Sequence, residues 1–227
     1  MDYVFITYGL TIIAFLITVF AQIFISVTYK KYNEVKNKNG LTGYEAAREI
    51  LDKNGLKNVQ IMQVNGYLSD HYDPKSKEVR LSSNNYRFAS ISAVAVACHE
   101  CGHAIQDKEG YIFMRIRAAL VPVVNFSSYA GYIAILIGSL FSLIDLIWIG
   151  ILLEMVILLF QIVTLPVEID ASKKALTEIK SRGILLDEEN SKGKQVLIAA
   201  ALTYVASVAS ALLQILRLIL VFNRRRD

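Results

Sequence analysis

Four stretches of this chain carry too little charge to sit comfortably in water. Residues 3–29 hold no charged side chain, residues 118–144 none, residues 146–167 only Glu154, and residues 195–216 none. A helix crosses a bilayer with about 20 mainly apolar residues. Hydrocarbon offers backbone N–H and C=O groups no other partners, so a spanning segment must be a helix or part of a closed barrel. The sequence therefore predicts four transmembrane helices, at 3–29, 118–144, 146–167 and 195–222. The first has too long an apolar run for a signal peptide. No basic residue precedes it and no clear small-residue cleavage site ends it, so it reads as an uncleaved anchor. These segments explain a composition of 54% hydrophobic and 19% charged residues, more apolar than a soluble domain.

Two polar stretches lie between the spans. Residues 30–117 contain 14 Lys and Arg and residues 168–194 contain 6, whereas the short turn around Asp145 contains none. Basic loops stay in the cytoplasm, so both stretches are expected there, on a multi-pass protein of the cell membrane. The tail "NRRRD" (223–227) runs against this bias, because a fourth crossing carries it outside. It reads as an interfacial anchor. The net charge of +4 follows from the basic loops. Nothing in the sequence resembles a nucleic-acid-binding signature, and the oligomeric state is left open.

Within 30–117, "LTGYEAAREILDKNG" predicts a helix with a capping box, Thr42 with Glu45, and a terminating Gly55. "VQIMQV" (59–64) and "KEVRLS" (77–82) read as strands. "KEVRLS" alternates like a half-exposed strand, and is either a plain sheet edge or one along which an extended peptide could lie. "NGYLSDHYDP" between them reads as a loop. A helix from about Ser90 to Asp107 follows. The fold class is thus an α-helical integral membrane protein with a small α+β cytoplasmic part.

That last helix contains His99-Glu100-Cys101-Gly102-His103. Positions four apart share a helix face, so His99 and His103 can hold one metal ion. Glu100 lies about 100° round the helix from His99, where it can reach a water on the ion rather than the ion itself. Zinc lowers the pKa of a bound water toward about 7, and a carboxylate takes its proton as it attacks a carbonyl. H-E-x-x-H on a helix has this meaning in zinc proteases. The plain alternative is a pair of core histidines. Two unpaired imidazoles would be costly among Ala93, Ala95 and Ala97, which favours the metal. Gly102 admits a close backbone or substrate. Cys98 and Cys101 point away from the histidine face and read as free, packed thiols.

A catalytic zinc wants a third protein ligand and an open position. His71, Asp70, Asp73, Glu168 and Asp170 are the candidates. Glu168 leads, because it follows the third span as the motif helix precedes the second, and the hairpin between returns the chain to the same side. Pro166 could start its helix, where a carboxylate in the first turn is also simply favoured by the dipole. His71 is either a ligand, a group that hydrogen-bonds substrate, or a solvated loop residue. Glu154 within the third span is the kind of intramembrane carboxyl that often has a function, and no role is assigned to it.

The chain resembles the YugP-type neutral zinc metallopeptidases, membrane proteins of bacteria. The likeness runs through "GLTGYEAAREIL", "LSDHYDPKSKEVRLS", "AVAVACHECGHAIQD", "ALVPVVN", "LPVEIDASKKAL", "AALTYVASVASALLQILRLIL" and "RRRD", in order over nearly the whole chain. It implies a membrane zincin in which His99 and His103 hold zinc (Zn2+) and Glu100 is the general base. The segment around Glu168 is similar to the glutamate-bearing helix of other zincins. Those often carry an aspartate four residues on, where it orients a histidine; here that position is Ser172, with Asp170 as a possible substitute.

These readings converge on a membrane-bound zinc endopeptidase acting on proteins or peptides at the bilayer surface. The rival is a membrane scaffold that keeps zinc only for folding, in a closed site of four protein ligands. A transporter would need paired broken helices or a chain of intramembrane charges, for which Glu154 and Asp145 are meagre support.

Overall fold

The computed structural model describes residues 2–223; the arginines of the expected interfacial tail, 224–226, lie outside the described residues. The elements are α1 (Asp2–Asn33), α2 (Gly43–Lys53), β1 (Gln60–Val64), β2 (His71–Asp73), β3 (Glu78–Ser82), α3 (Ser83–Arg87), α4 (Ile91–Glu109), α5 (Ile112–Phe141), α6 (Ile144–Arg182) and α7 (Asp187–Asn223). Among them α1, α5, α6 and α7 are long and apolar enough to cross a membrane. The architecture is mainly helical, with four such helices and one small sheet.

All four extend beyond their apolar runs, α1 through Lys30 and Lys31 to Asn33. α5 begins at Ile112, α6 continues to Arg182, and α7 begins at Asp187. Pro166 accordingly does not start a helix but lies inside α6. Its missing N–H removes one i→i−4 bond, at a cost of about 3 kcal/mol. Beyond it Val167, Ala171, Ala175 and Ile179 recur every four residues and are fully buried. A fully buried Val or Ile side chain contributes roughly 1.5–3 kcal/mol, so this stripe offsets the lost bond and the helix goes on.

The chain divides into two compact units. The first comprises Met1–Gln22, Arg115–Leu165 and Thr203–Asp227. Small residues let its helices approach: a Cβ on Gly150 would stand 3.0 Å from the carbonyl oxygen of Gly131. The α1 hydroxyl of Thr18 meets that of Ser210 on α7 at 2.8 Å. Ile147 and Ile151 pack with Ile215 and Phe222.

The second unit comprises Ile23–Met114 and Pro166–Leu202, and α4 runs through its core. Ser90 caps α4, its hydroxyl accepting from the Ala93 N–H at 3.1 Å, and Gly110 ends it at φ 66° in the left-handed region. Around α4 gather Ile50 and Leu51 of α2, Val79 and Leu81 of β3, and Ala175 and Ile179 of α6, all fully buried. α2 has the capping box of Thr42 and Glu45, and Gly55 follows it at φ 70°.

The sheet has the order β1-β3-β2. β1 runs parallel to β3 with Ile61 opposite Val79, and β2 antiparallel with Tyr72 opposite Val79. β3 is therefore the middle strand. Neither a plain edge nor a peptide-docking edge exists along "KEVRLS", because β1 and β2 occupy its two sides. β2 itself arises inside the expected loop. Tyr72 is buried there, and its hydroxyl donates to Asp107 of α4 at 2.6 Å; that anchorage draws three residues into strand geometry.

Cys98 and Cys101 are free and fully buried. Burial pushes both thiols well above their ordinary pKa, and a thiol that does not ionise is a poor nucleophile. Iodoacetamide at pH 8 should leave the folded protein unlabelled and modify both cysteines after denaturation. Rapid native labelling, read by intact mass, would contradict this packing.

Candidate metal centre

α4 presents His99 and His103 one turn apart, with ring centroids 4.8 Å apart and planes at 82°. α6 brings Glu168, just beyond its apolar run, against the same face. The Glu168 Oε2 atom lies 3.2 Å from His99 Nε2 and 3.6 Å from His103 Nε2. One donor atom from each residue lies within 4.8 Å of the others, and among the described residues this is the one His/Cys/Asp/Glu group so arranged. The approach of the two helices depends on Gly102: an added Cβ would stand 2.4 Å from the Ala171 carbonyl oxygen.

The donor set fits zinc in chemistry and in spacing. Tetrahedral zinc with bonds near 2.1 Å holds its ligand atoms about 3.4 Å apart; the two Glu168–His spacings of 3.2 and 3.6 Å bracket that value, and all three donor atoms lie within 4.8 Å of one another. Such a group is held together either by a cation or by a proton shared between an imidazole and the carboxylate. In the metal-free protein the ring–carboxylate contacts set the ionic balance. Burial alone would raise the pKa of Glu168, but its bonds to His103 and His99 outweigh burial and hold it well below the carboxylate range. Burial would lower the pKa of His103, yet contact with Glu168 and the charge of Glu100 raise it. Glu100 is nearly fully buried, and that burial raises its pKa despite the opposing pull of His99 and His103.

A family model described as "Putative neutral zinc metallopeptidase" matches residues 7–223. The chain belongs to this family. A relative from Bacillus subtilis (strain 168), named "Putative membrane protease YugP", is 43% identical over 218 residues, covering 96% of this chain and 97% of the relative. No solved structure matches. With its four apolar helices, this neutral zinc metallopeptidase family member is a multi-pass membrane protein.

The remaining candidates fall into different surroundings in this family member. Ser172 Oγ lies 3.1 Å from His99 Nδ1. Asp170 contacts neither ring in a hydrogen bond; it accepts from Gln106 Nε2 at 2.9 Å. His71 is exposed on β2, its Nδ1 2.9 Å from the Ser69 carbonyl oxygen. Asp70 accepts from the Ser82 N–H at 2.8 Å and from Asn85 Nδ2 at 2.8 Å, which pins the segment before β2. Asp73 accepts from the Lys75 N–H at 2.9 Å and closes the β2–β3 turn. None of these three belongs to the donor group. Sequence reasoning missed Gln106, which contacts His103. The available signal was its place three residues after His103, one turn along the same helix.

Proposed function

We propose that this chain is a membrane-bound zinc metalloendopeptidase that hydrolyses peptide bonds at the membrane surface, with its site on the cytoplasmic side. One observation carries the reading: two imidazole nitrogens and a carboxylate oxygen converge at zinc spacing beside the buried Glu100. When bound, zinc supplies a Lewis acid for the scissile carbonyl and for the attacking water. His99, His103 and Glu168 would hold it, as three protein ligands do in catalytic zinc sites. A closed structural site wants four protein ligands, and among the described residues the group has three, which favours the enzyme over the scaffold.

Glu100 is the general base. Its raised pKa brings it nearer to the operating pH, where a group both takes and returns protons efficiently. It accepts the proton of the attacking water and passes it to the leaving amine. The residues before it on α4, from Ala93 to Cys98, are small or apolar and mostly buried, and Glu100 itself is buried away from bulk water. Substrates are expected to be membrane proteins or peptides that reach the bilayer surface, since Glu168 follows directly on the apolar run of α6 and α4 ends just ahead of α5. The excess of Lys and Arg in 30–117 and 168–194 supports a cytoplasmic site.

The test uses the full-length protein in detergent with an unfolded polypeptide such as casein. Cleavage that stops with phenanthroline and returns with added zinc is expected. A protein that retains one zinc and cleaves neither casein nor membrane-derived peptides would favour the scaffold instead.

A further inference from the structure

Gln106 is a fully buried amide, and its side-chain hydrogen bonds are directed at the metal site or its supports. Its Nε2 donates to the Val167 carbonyl oxygen at 2.8 Å and to Asp170 Oδ2 at 2.9 Å. Its Oε1 lies 3.0 Å from His103 Nδ1. Both amide hydrogens are thereby used, as a buried amide requires.

We infer that Gln106, backed by Asp170, is a positioning residue that locks the ring of His103 with its proton on Nδ1 and its Nε2 lone pair toward the metal; the inference rests on the zinc-site reading above. The orientation of the amide decides the tautomer. Val167 O and the Asp170 carboxylate are acceptors only, so the end of the amide that faces both must be the NH2 end. The other end is then the oxygen, and it faces His103 Nδ1. An oxygen there binds only if Nδ1 carries hydrogen. In the neutral ring Nε2 is then an acceptor, and it is the nitrogen 3.6 Å from Glu168.

Ser172 cannot do the same for His99, although it lies 3.1 Å from that ring. A hydroxyl donates or accepts by rotating its hydrogen, so it accommodates either tautomer. The device at His103 is thus the discriminating one of the pair. It also acts on the backbone. Gln106 belongs to α4, and its two acceptors flank Glu168 on α6, so one side chain sets both the ring's orientation and the distance between two ligand-bearing helices. Outer groups of this kind typically affect metal affinity 10–100-fold.

Three variants of the full-length protein test this, with zinc affinity measured by chelator competition and site geometry by the visible spectrum of the Co2+-loaded protein. Gln106→Met keeps the volume and removes all three bonds. It should bind zinc roughly 10–100-fold more weakly and show altered Co2+ bands. Gln106→Glu returns an acceptor to the ring but sets two carboxylates against each other. Adding Asp170→Asn to Gln106→Glu puts an amide donor opposite the new carboxylate, and should bind zinc about tenfold or more tightly than Gln106→Glu alone. That comparison remains decisive if Gln106→Met does not fold. Wild-type affinity and spectrum in folded Gln106→Met, or a double variant no better than Gln106→Glu alone, would overturn the inference while leaving the zinc site intact. A wild-type protein that binds no zinc would overturn the zinc-site reading, and this inference with it.

Discussion

Changing Glu100 to glutamine is expected to slow peptide hydrolysis by about 10²–10⁴-fold, the usual contribution of a general base, while zinc stays bound. The amide has the same shape but cannot take a proton. Glu100 lies outside the group of three donors, so their geometry survives. The variant should be no less stable than the wild type. Burial raises the pKa of Glu100, which means that the folded state disfavours its ionised form. A carboxyl with a raised folded pKa supports the fold while protonated and loses that support as pH rises through the folded value. The glutamine variant has no such loss. In the metal-free protein, the melting temperature of the variant relative to wild type should therefore rise with pH. Unaltered hydrolysis would remove Glu100 from the chemistry; loss of zinc would give it a structural role.

What could be read from the sequence divides along physical lines. Lipid imposes length and scarcity of charge together, so α1, α5, α6 and α7 could be placed from four stretches that carry a single charged residue, Glu154, between them. His99 and His103 share one helix, and their relation follows from helical geometry without tertiary knowledge. Glu168 is 65 residues from His103 in sequence, yet two consecutive crossings return the chain to its starting side; the structure has it 3.2 and 3.6 Å from the two rings. Long-range pairing was the obscure part. β2 exists because Tyr72 bonds to Asp107, and β3 lies in the middle because β1 joins it in parallel, neither of which leaves a local trace. Pro166 misled because its ordinary helix-starting role ignores the buried stripe Val167-Ala171-Ala175-Ile179 that carries α6 past it. Gln106 was hidden by being a good helix former, whose function depends entirely on which acceptors α6 presents.

Gly102→Ala should unfold the second unit more easily and weaken zinc binding together. On an isolated helix the same change would stabilise by about 1 kcal/mol, since alanine is the better helix former. Here the new methyl carbon would stand 2.4 Å from the Ala171 carbonyl oxygen and 3.1 Å from its Cα. Those atoms are backbone and have no rotamer to change, so α4 and α6 must move apart. Overpacking of a close-fitting interior costs typically about 1–3 kcal/mol and occasionally more, and a contact between two backbones belongs at the upper end. The clash therefore wins, with a net loss of about 2 kcal/mol. Separation of α4 from α6 also draws Glu168 away from His99 and His103, and it stretches the bonds from Gln106 to Val167 and Asp170. A displacement near 1 Å can cost a positioned site about 100-fold, so zinc affinity should fall further than stability alone explains. Thermal unfolding in detergent and chelator competition measure the two effects on one sample. An alanine variant with raised melting temperature and unchanged zinc affinity would show that α4 and α6 are not held in this close approach.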